Sequence, residues 1–319
     1  MLKTIVLGVS FLVSIGLTQA QPVPDRPVRM IVPFAAGTGT DIAARLLTAS
    51  LSEAIKRPIV IENRPGALAV IGTDQAAKAA PDGLTLVATG STAIAAAPSL
   101  FKKLPYDPVH DLAPVALLAT ASLALFVGAD HPARSLQDLI TLARKEPGKL
   151  NYASGNATGA VAGELLKQLA GIDVFHVPYK AAPQALNDVS AGSVTMMFND
   201  ITGAMPLLRS GKLRALAVTS RGRARLLPDI ASLYETGYTG YELYNWVGIF
   251  VPGKTSPDII RFYAAEIARV TAAPDFKEKF EKVGLDLVQN DTPAAFSEFV
   301  KKEIASWTRL IQAAGLQPE

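Results

Sequence analysis

No cysteine occurs anywhere in the 319 residues. Disulfides are therefore excluded, and so are thiolate metal sites and a lipid-bearing cysteine behind a leader. Histidine is nearly as scarce. His110, His131 and His176 are scattered along the chain rather than spaced as ligands, so no metal site is expected. Charge of either sign is also nearly balanced. The formal net charge is +3, and +2 once Lys3 leaves with the leader described below. That balance supplies no basic face for nucleic acid. Beyond the first 20 residues no apolar run is long enough to cross a bilayer. No repeat of solenoid period is present.

What the chain does have starts with a targeting pattern. Lys3 gives a positive start, Ile5 to Leu17 an apolar stretch, and Thr18-Gln-Ala20 small residues at the cleavage positions. Cleavage after Ala20 is expected, so residues 1–20 read as a signal peptide and the mature chain starts at Gln21. About 300 mature residues exceed what one core usually serves, which predicts two domains.

The pattern around residues 29–47 organises the rest. An apolar run, Met30 to Val32, meets Pro33 and then a small-residue loop, Ala35 to Thr40. After it the period changes: Ile42, Leu46, Leu47, Leu51 and Ile55 fall on one helical face. Strand, tight loop and helix follow one another. Such a loop aims free backbone N–H groups and a positive helix end at one spot, which suits an anion. Gly37 and Gly39 let the backbone turn and let a ligand approach.

The same unit recurs in the second half. Leu150 to Ala153 reads as a strand, Ser154-Gly-Asn-Ala-Thr-Gly159 as a small polar loop, and Ala160 to Ala170 as a helix with Val161, Leu165, Leu166 and Leu169 on one face. Between the two units, Pro58 to Glu62 and Leu84 to Thr89 read as strands, the latter ending in Thr89-Gly-Ser-Thr92. Ala67 to Ala80 is helix-compatible. Val115 to Leu118 and Leu123 to Val127 read as two strands with a crossing between domains, and Ser135 to Asp138 as a capping box. Later strands are expected at Val174 to Tyr179, Val194 to Phe198, Lys212 to Ser220, Asn245 to Val251 and Leu285 to Val288. Helices fill the C-terminal part. Strands alternating with helices define an α/β chain with parallel pairing. Tyr179 ends its strand where open α/β sheets bind ligands. Asp200 is placed to cap the helix Ile201 to Ser210, and His176 to be a satisfied, half-buried residue.

Seven stretches, in order, resemble the periplasmic solute-binding receptors of tripartite tricarboxylate transporters, the TctC or Bug group. They are Pro33 to Asp41, Glu62 to Gly66, Lys78 to Gly83, Leu104 to Pro108, Lys149 to Ser154, His176 to Lys180, and Gly211 to Thr219. The resemblance spans the mature chain. It implies a two-lobed, type II-like periplasmic binding fold, each lobe a mixed, mostly parallel sheet flanked by helices. The implied division is lobe one over 21–122 and 246–319 and lobe two over 123–245. It also implies a soluble periplasmic monomer, without cofactor, that binds a small carboxylate and serves the membrane subunits of a transporter. The chain departs from the family pattern at Ala67-Leu-Ala69, at Ala181, and at Asn199-Asp200.

The candidate ligand-binding residues are then Phe34, Ala36, Gly37, Thr38, Gly39, Thr40, Thr89 and Ser91 in lobe one. In lobe two they are Ser154, Gly155, Asn156, Ala157, Thr158, Tyr179 and Asp200. Neither loop carries Lys or Arg, so backbone N–H groups, hydroxyls and helix ends are expected to hold the anion. Lys180 is expected to point away if strand alternation opposes it to Tyr179. Ser154-Gly-Asn does not match a nucleophile elbow, which argues against an exported hydrolase. Gly37-x-Gly39 lacks the third glycine of a dinucleotide loop, where Ile42 stands. A receptor that feeds a sensor uses the same closed form as one that feeds a transporter, and that alternative stays open.

Overall fold

The computed structural model describes residues 22–288 and 292–318. The leader expected over residues 1–20 lies outside them. In chain order the elements are β1 (Val28–Val32), α1 (Gly39–Ile55), β2 (Ile59–Asn63), α2 (Val70–Ala77) and β3 (Thr85–Gly90). A π-helical turn, Ser91–Ala96, leads into α3 (Ala97–Leu100). Then come β4 (Leu112–Gly128), α4 (Leu136–Lys145), β5 (Asn151–Ser154), α5 (Ala157–Ala170), β6 (Phe175–Pro178), α6 (Ala182–Ser190), β7 (Met196–Asp200), α7 (Ile201–Arg209) and β8 (Leu213–Val218). The chain ends with β9 (Tyr244–Pro252), α8 (Pro257–Thr271), α9 (Pro274–Lys282), β10 (Asp286–Leu287) and α10 (Pro293–Ala313).

Two strand–loop–helix units, β1–α1 and β5–α5, sit in two sheets joined by one strand. On one side β2, β1 and β3 run parallel, and β9 pairs antiparallel with both β3 and β4. On the other, β6, β5 and β7 run parallel, while β4 pairs antiparallel with β7 and β8. The parallel pairs are thus the outer ones, and the linking strands add the antiparallel pairs. The two strands expected at Val115 to Leu118 and Leu123 to Val127 are one 17-residue strand, β4. It leaves its register with β9 at Ser122 and enters its register with β7 at Leu123. Nothing breaks it, because Thr120, Ala121 and Ser122 are small and extend without a turn residue.

Strand alternation divides the core. Met30, Val32, Leu86 and Ala88 pack into one layer, while Ile31 and Val87 pack into the layer on the other face of the same sheet. The buried stripe of α1 is Ala43, Ala44, Leu47, Leu51 and Ile55. Ile42 and Leu46 are only half-buried, because small alanines let α1 lie close to the sheet and so define its inner face. On α5, Val161, Leu165 and Leu166 are buried as expected, but Leu169 is exposed. Ser135 caps α4 in the expected box with Asp138. The helix expected over Ala67 to Ala80 forms only from Val70. Ala67, Leu68 and Ala69 instead take φ of 45°, 50° and 69°, a left-handed run.

Candidate functional site

The loop before α1 is held by a carboxylate. Asp41 Oδ2 accepts the Gly37 N–H at 2.9 Å and Arg45 Nε at 2.9 Å, and Oδ1 accepts Asn63 Nδ2 at 2.8 Å. Asn63 Nδ2 also donates to Phe34 O at 3.0 Å. Burial pushes the Asp41 carboxyl up, but the bonds from Arg45, Asn63 and Gly37 outweigh it, so its pKa lies below the usual value. The side chain therefore stays ionised and shapes the loop.

At the far end of β7, Asp200 caps α7 by accepting the Gly203 N–H at 2.7 Å, as its position predicts. It also takes a backbone hydrogen bond from Gly39, the first residue of α1. The N-termini of α1 and α7 therefore meet on one carboxylate. A Cβ at Gly39 would lie 2.7 Å from Asp200 Oδ1, so the contact requires glycine there. Burial raises the Asp200 pKa against these stabilising N–H groups.

Between the two units lies a cavity of about 620 Å³, a size typical of small-molecule sites. One wall comes from the β1–α1 loop, the Pro65 to Ala69 run and the Gly90 to Thr92 segment. The other comes from Gly155, Asn156, Pro178 to Ala182 and Asp200, and Asn245 and Trp246 of β9 contribute as well. Gly90 has no side chain because β9 passes over it: a Cβ there would lie 1.8 Å from Trp246 O. The Trp246 N–H donates to Ser91 Oγ at 2.9 Å, which leaves the buried Ser91 hydroxyl its own proton to donate. Trp246 Nε1 donates to Glu303 Oε2 at 2.8 Å, and the Tyr244 hydroxyl donates to Glu303 Oε1 at 3.1 Å.

Of the residues expected at the site, Phe34, Thr38, Thr40, Ser91, Gly155, Asn156, Tyr179 and Asp200 line the cavity together. Ala36, Gly37, Gly39, Thr89, Ser154, Ala157 and Thr158 do not. Gly37 and Gly39 give their N–H groups to Asp41 and Asp200. Thr158 donates to Asn245 Oδ1 at 2.6 Å, and Ser154 Oγ lies 2.7 Å from His176 Nε2. Ala157 is packed in the core, and Thr89 is wholly buried in β3. His176 is half-buried and stacks on Tyr152, with ring centroids 4.8 Å apart. The Tyr179 hydroxyl donates to Asp188 Oδ2 at 2.7 Å, which orients the ring.

Lys180, expected to point away, lines the cavity. β6 stops at Pro178, so strand alternation no longer governs residue 180. The lining residues that sequence reasoning missed are chiefly Leu68, Ile71, Asn245 and Trp246. The left-handed run that brings in Leu68 has no glycine to announce it. Asn245 and Trp246 read only as the start of a strand.

Two sheets joined by β4, with a cleft between two helix N-termini, define a two-lobed periplasmic binding protein. The chain belongs to the tripartite tricarboxylate transporter receptor family, TctC, which it matches over residues 43–316. It is similar to the solved periplasmic binding protein BugD, at 32% identity and TM-score 0.88, over 93% of this chain and 100% of that one. A Rhodopseudomonas palustris protein, MatC, solved with bound malate, is 31% identical with TM-score 0.85, over 90% and 99% of the two chains. The R. palustris protein Rpa4515, solved with adipate, is 31% identical with TM-score 0.90, over 93% and 99%.

Proposed function

We propose that the protein is an extracytoplasmic receptor that captures a small carboxylate and delivers it to the membrane subunits of a tripartite tricarboxylate-type transporter. Its lobes are 21–122 with 246–319, and 123–245, and the leader is cleaved after Ala20 to leave the mature chain in the periplasm. The observation that carries this reading is the cavity lined from both strand–loop–helix units, beside the N-termini of α1 and α5. Family membership and neighbours solved with adipate and malate support it.

Magnitudes favour capture by two lobes. A dissociation constant of 1 μM needs about 8 kcal/mol. One charge-assisted hydrogen bond nets about 1.5–3 kcal/mol and a helix end about 0.3–1 kcal/mol. A single loop falls short after ordering costs, whereas two walls closing on one ligand reach it. The Ser154–His176 contact does not argue for hydrolysis, since Ser154 is only 3% exposed and does not line the cavity.

A thermal-shift screen of refolded, ligand-free mature protein tests the reading. A carboxylate at 100 times its dissociation constant is expected to add about 2.7 kcal/mol of stability. A shift with amines or neutral sugars, and with no carboxylate, would sink it.

A further inference from the structure

The anion position expected at the start of α1 is already filled by the protein itself. The Gly39 and Gly203 N–H groups bond the Asp200 carboxylate, and the Gly37 N–H bonds Asp41. These donors face a carboxylate of the chain whatever the ligand. On the opposite wall, Gly155 and Asn156 stand at the start of α5 beside Lys180. Among the described residues lining the cavity, Lys180 is the only cation and Asp200 the only acid. The cavity therefore offers one seat for an anion, at the Asn156 end of α5 with Lys180, where Asn156 Oδ1 already takes the Gly159 N–H, and the Asp200 carboxyl stands where a second would go.

Much of the remaining lining is apolar: Phe34, Leu68, Ile71, Ala181 and Trp246. Leu68 sits in the middle of the left-handed Ala67 to Ala69 run. L-residues take that conformation only at a cost, and strain of this kind is kept where the surrounding structure over-determines it. Here it brings three apolar residues in succession to the cavity wall. A second carboxylate placed against this wall would lose its water without gaining donors.

We infer that the ligand is a monocarboxylate with an apolar body, an aromatic or branched aliphatic acid, rather than a di- or tricarboxylate. Its single charge is met by the α5 N-terminus and Lys180, and its body lies against the wall that includes Leu68 and Trp246. This inference rests on the carboxylate reading above and narrows it.

Calorimetric titration of the refolded, ligand-free mature chain with benzoate, isovalerate, adipate and citrate tests it. At least one monoacid is expected to bind about tenfold or more tighter than either polyacid, a gap of about 1.4 kcal/mol. Leu68→Gly relieves the backbone strain and removes apolar lining, so it is expected to weaken the preferred monoacid about tenfold. Asp200→Asn keeps an acceptor for α7 but removes the charge, so the monoacid-to-adipate preference is expected to shrink. If adipate or citrate binds and both monoacids fail, the inference is overturned while the carboxylate reading stands. An unchanged affinity in Leu68→Gly also overturns the apolar-wall assignment. If amines or neutral sugars bind and no acid does, the carboxylate reading itself falls.

Discussion

Asp200 and Gly39 show how one side chain can govern two helices. Gly39→Val would drive a methyl-bearing Cβ into Asp200 Oδ1 and part the starts of α1 and α7. We expect it to cost about 2 kcal/mol or more in ligand affinity, because displacing Asp200 breaks its charge-assisted bonds to the α1 and α7 N-termini and so distorts the cavity wall it lines. Lys180→Ala, which removes an exposed charge, should cost about 1 kcal/mol or less. Calorimetry on both variants decides the point. If Lys180→Ala abolishes binding and Gly39→Val binds normally, the Lys180 ion pair alone carries the anion and the helix N-terminus contributes little. The importance of the glycines was legible in the sequence, but the reason differs by residue. Gly37 does take a positive φ of 82°. Gly39 is needed for the close approach of a carboxylate 161 positions along the chain, which no local pattern encodes.

Elements with strong periodicity or caps were readable: α1, α4 and α5 begin at polar or small loops and carry an apolar stripe. The failures are elements set by tertiary contact. The Ala67 to Ala69 run has helix-forming residues in a left-handed turn, and β4 carries no punctuation where it changes sheets. A third such case is the tie between β9 and α10 through Glu303. Burial raises the Glu303 pKa, and the bonds from Tyr244, Trp246 and Trp307 only partly offset this. With the folded pKa above the unfolded value of about 4.3, its stabilisation is full below that pH and fades as pH rises through the folded pKa. Glu303→Gln keeps one carbonyl acceptor for Trp246 Nε1 and turns its amide to donate to the Tyr244 hydroxyl, without the charge. Its melting temperature relative to wild type is therefore expected to climb from pH 4 to pH 8, by on the order of 2 °C. Scanning calorimetry across that range checks it, and a difference that falls with pH would refute the assignment.

For the molecule as a whole, β4 links the two sheets by changing partners at Ser122–Leu123, and β9 runs beside it from Tyr244 in the first sheet. Side-chain ties flank the link. Thr158 of α5 bonds Asn245, and Asp200 of β7 bonds α1 on the cavity side. Elsewhere, Arg225, which follows β8, pairs with Glu281 at 2.8 Å and with Asp286. Rotation about Thr120 to Leu123 and Asn245 to Val247 would open the cavity and would shear the apolar layer that holds Ile94 and Trp307 together with Val161 and Leu166. Small-angle scattering is expected to show a smaller radius of gyration with ligand than without. Equal radii would favour a rigid pocket. The recurring strand–loop–helix unit was visible in pattern, since it depends on local periodicity. The shared strand was not.

That shared strand also dictates an order of assembly. β3 can find its second neighbour only when β9 arrives, with Gly90 opposite Val247, 157 residues later. Until then one sheet has an open edge, and everything from β4 to β8 must be synthesised in between. β4 meanwhile finds β7 and β8 before β9 exists, so the inserted half can close first and present β4 as a template for β9. Pairings this distant make folding slow and leave unpaired strand edges exposed. The chain would therefore complete its first-encoded sheet last.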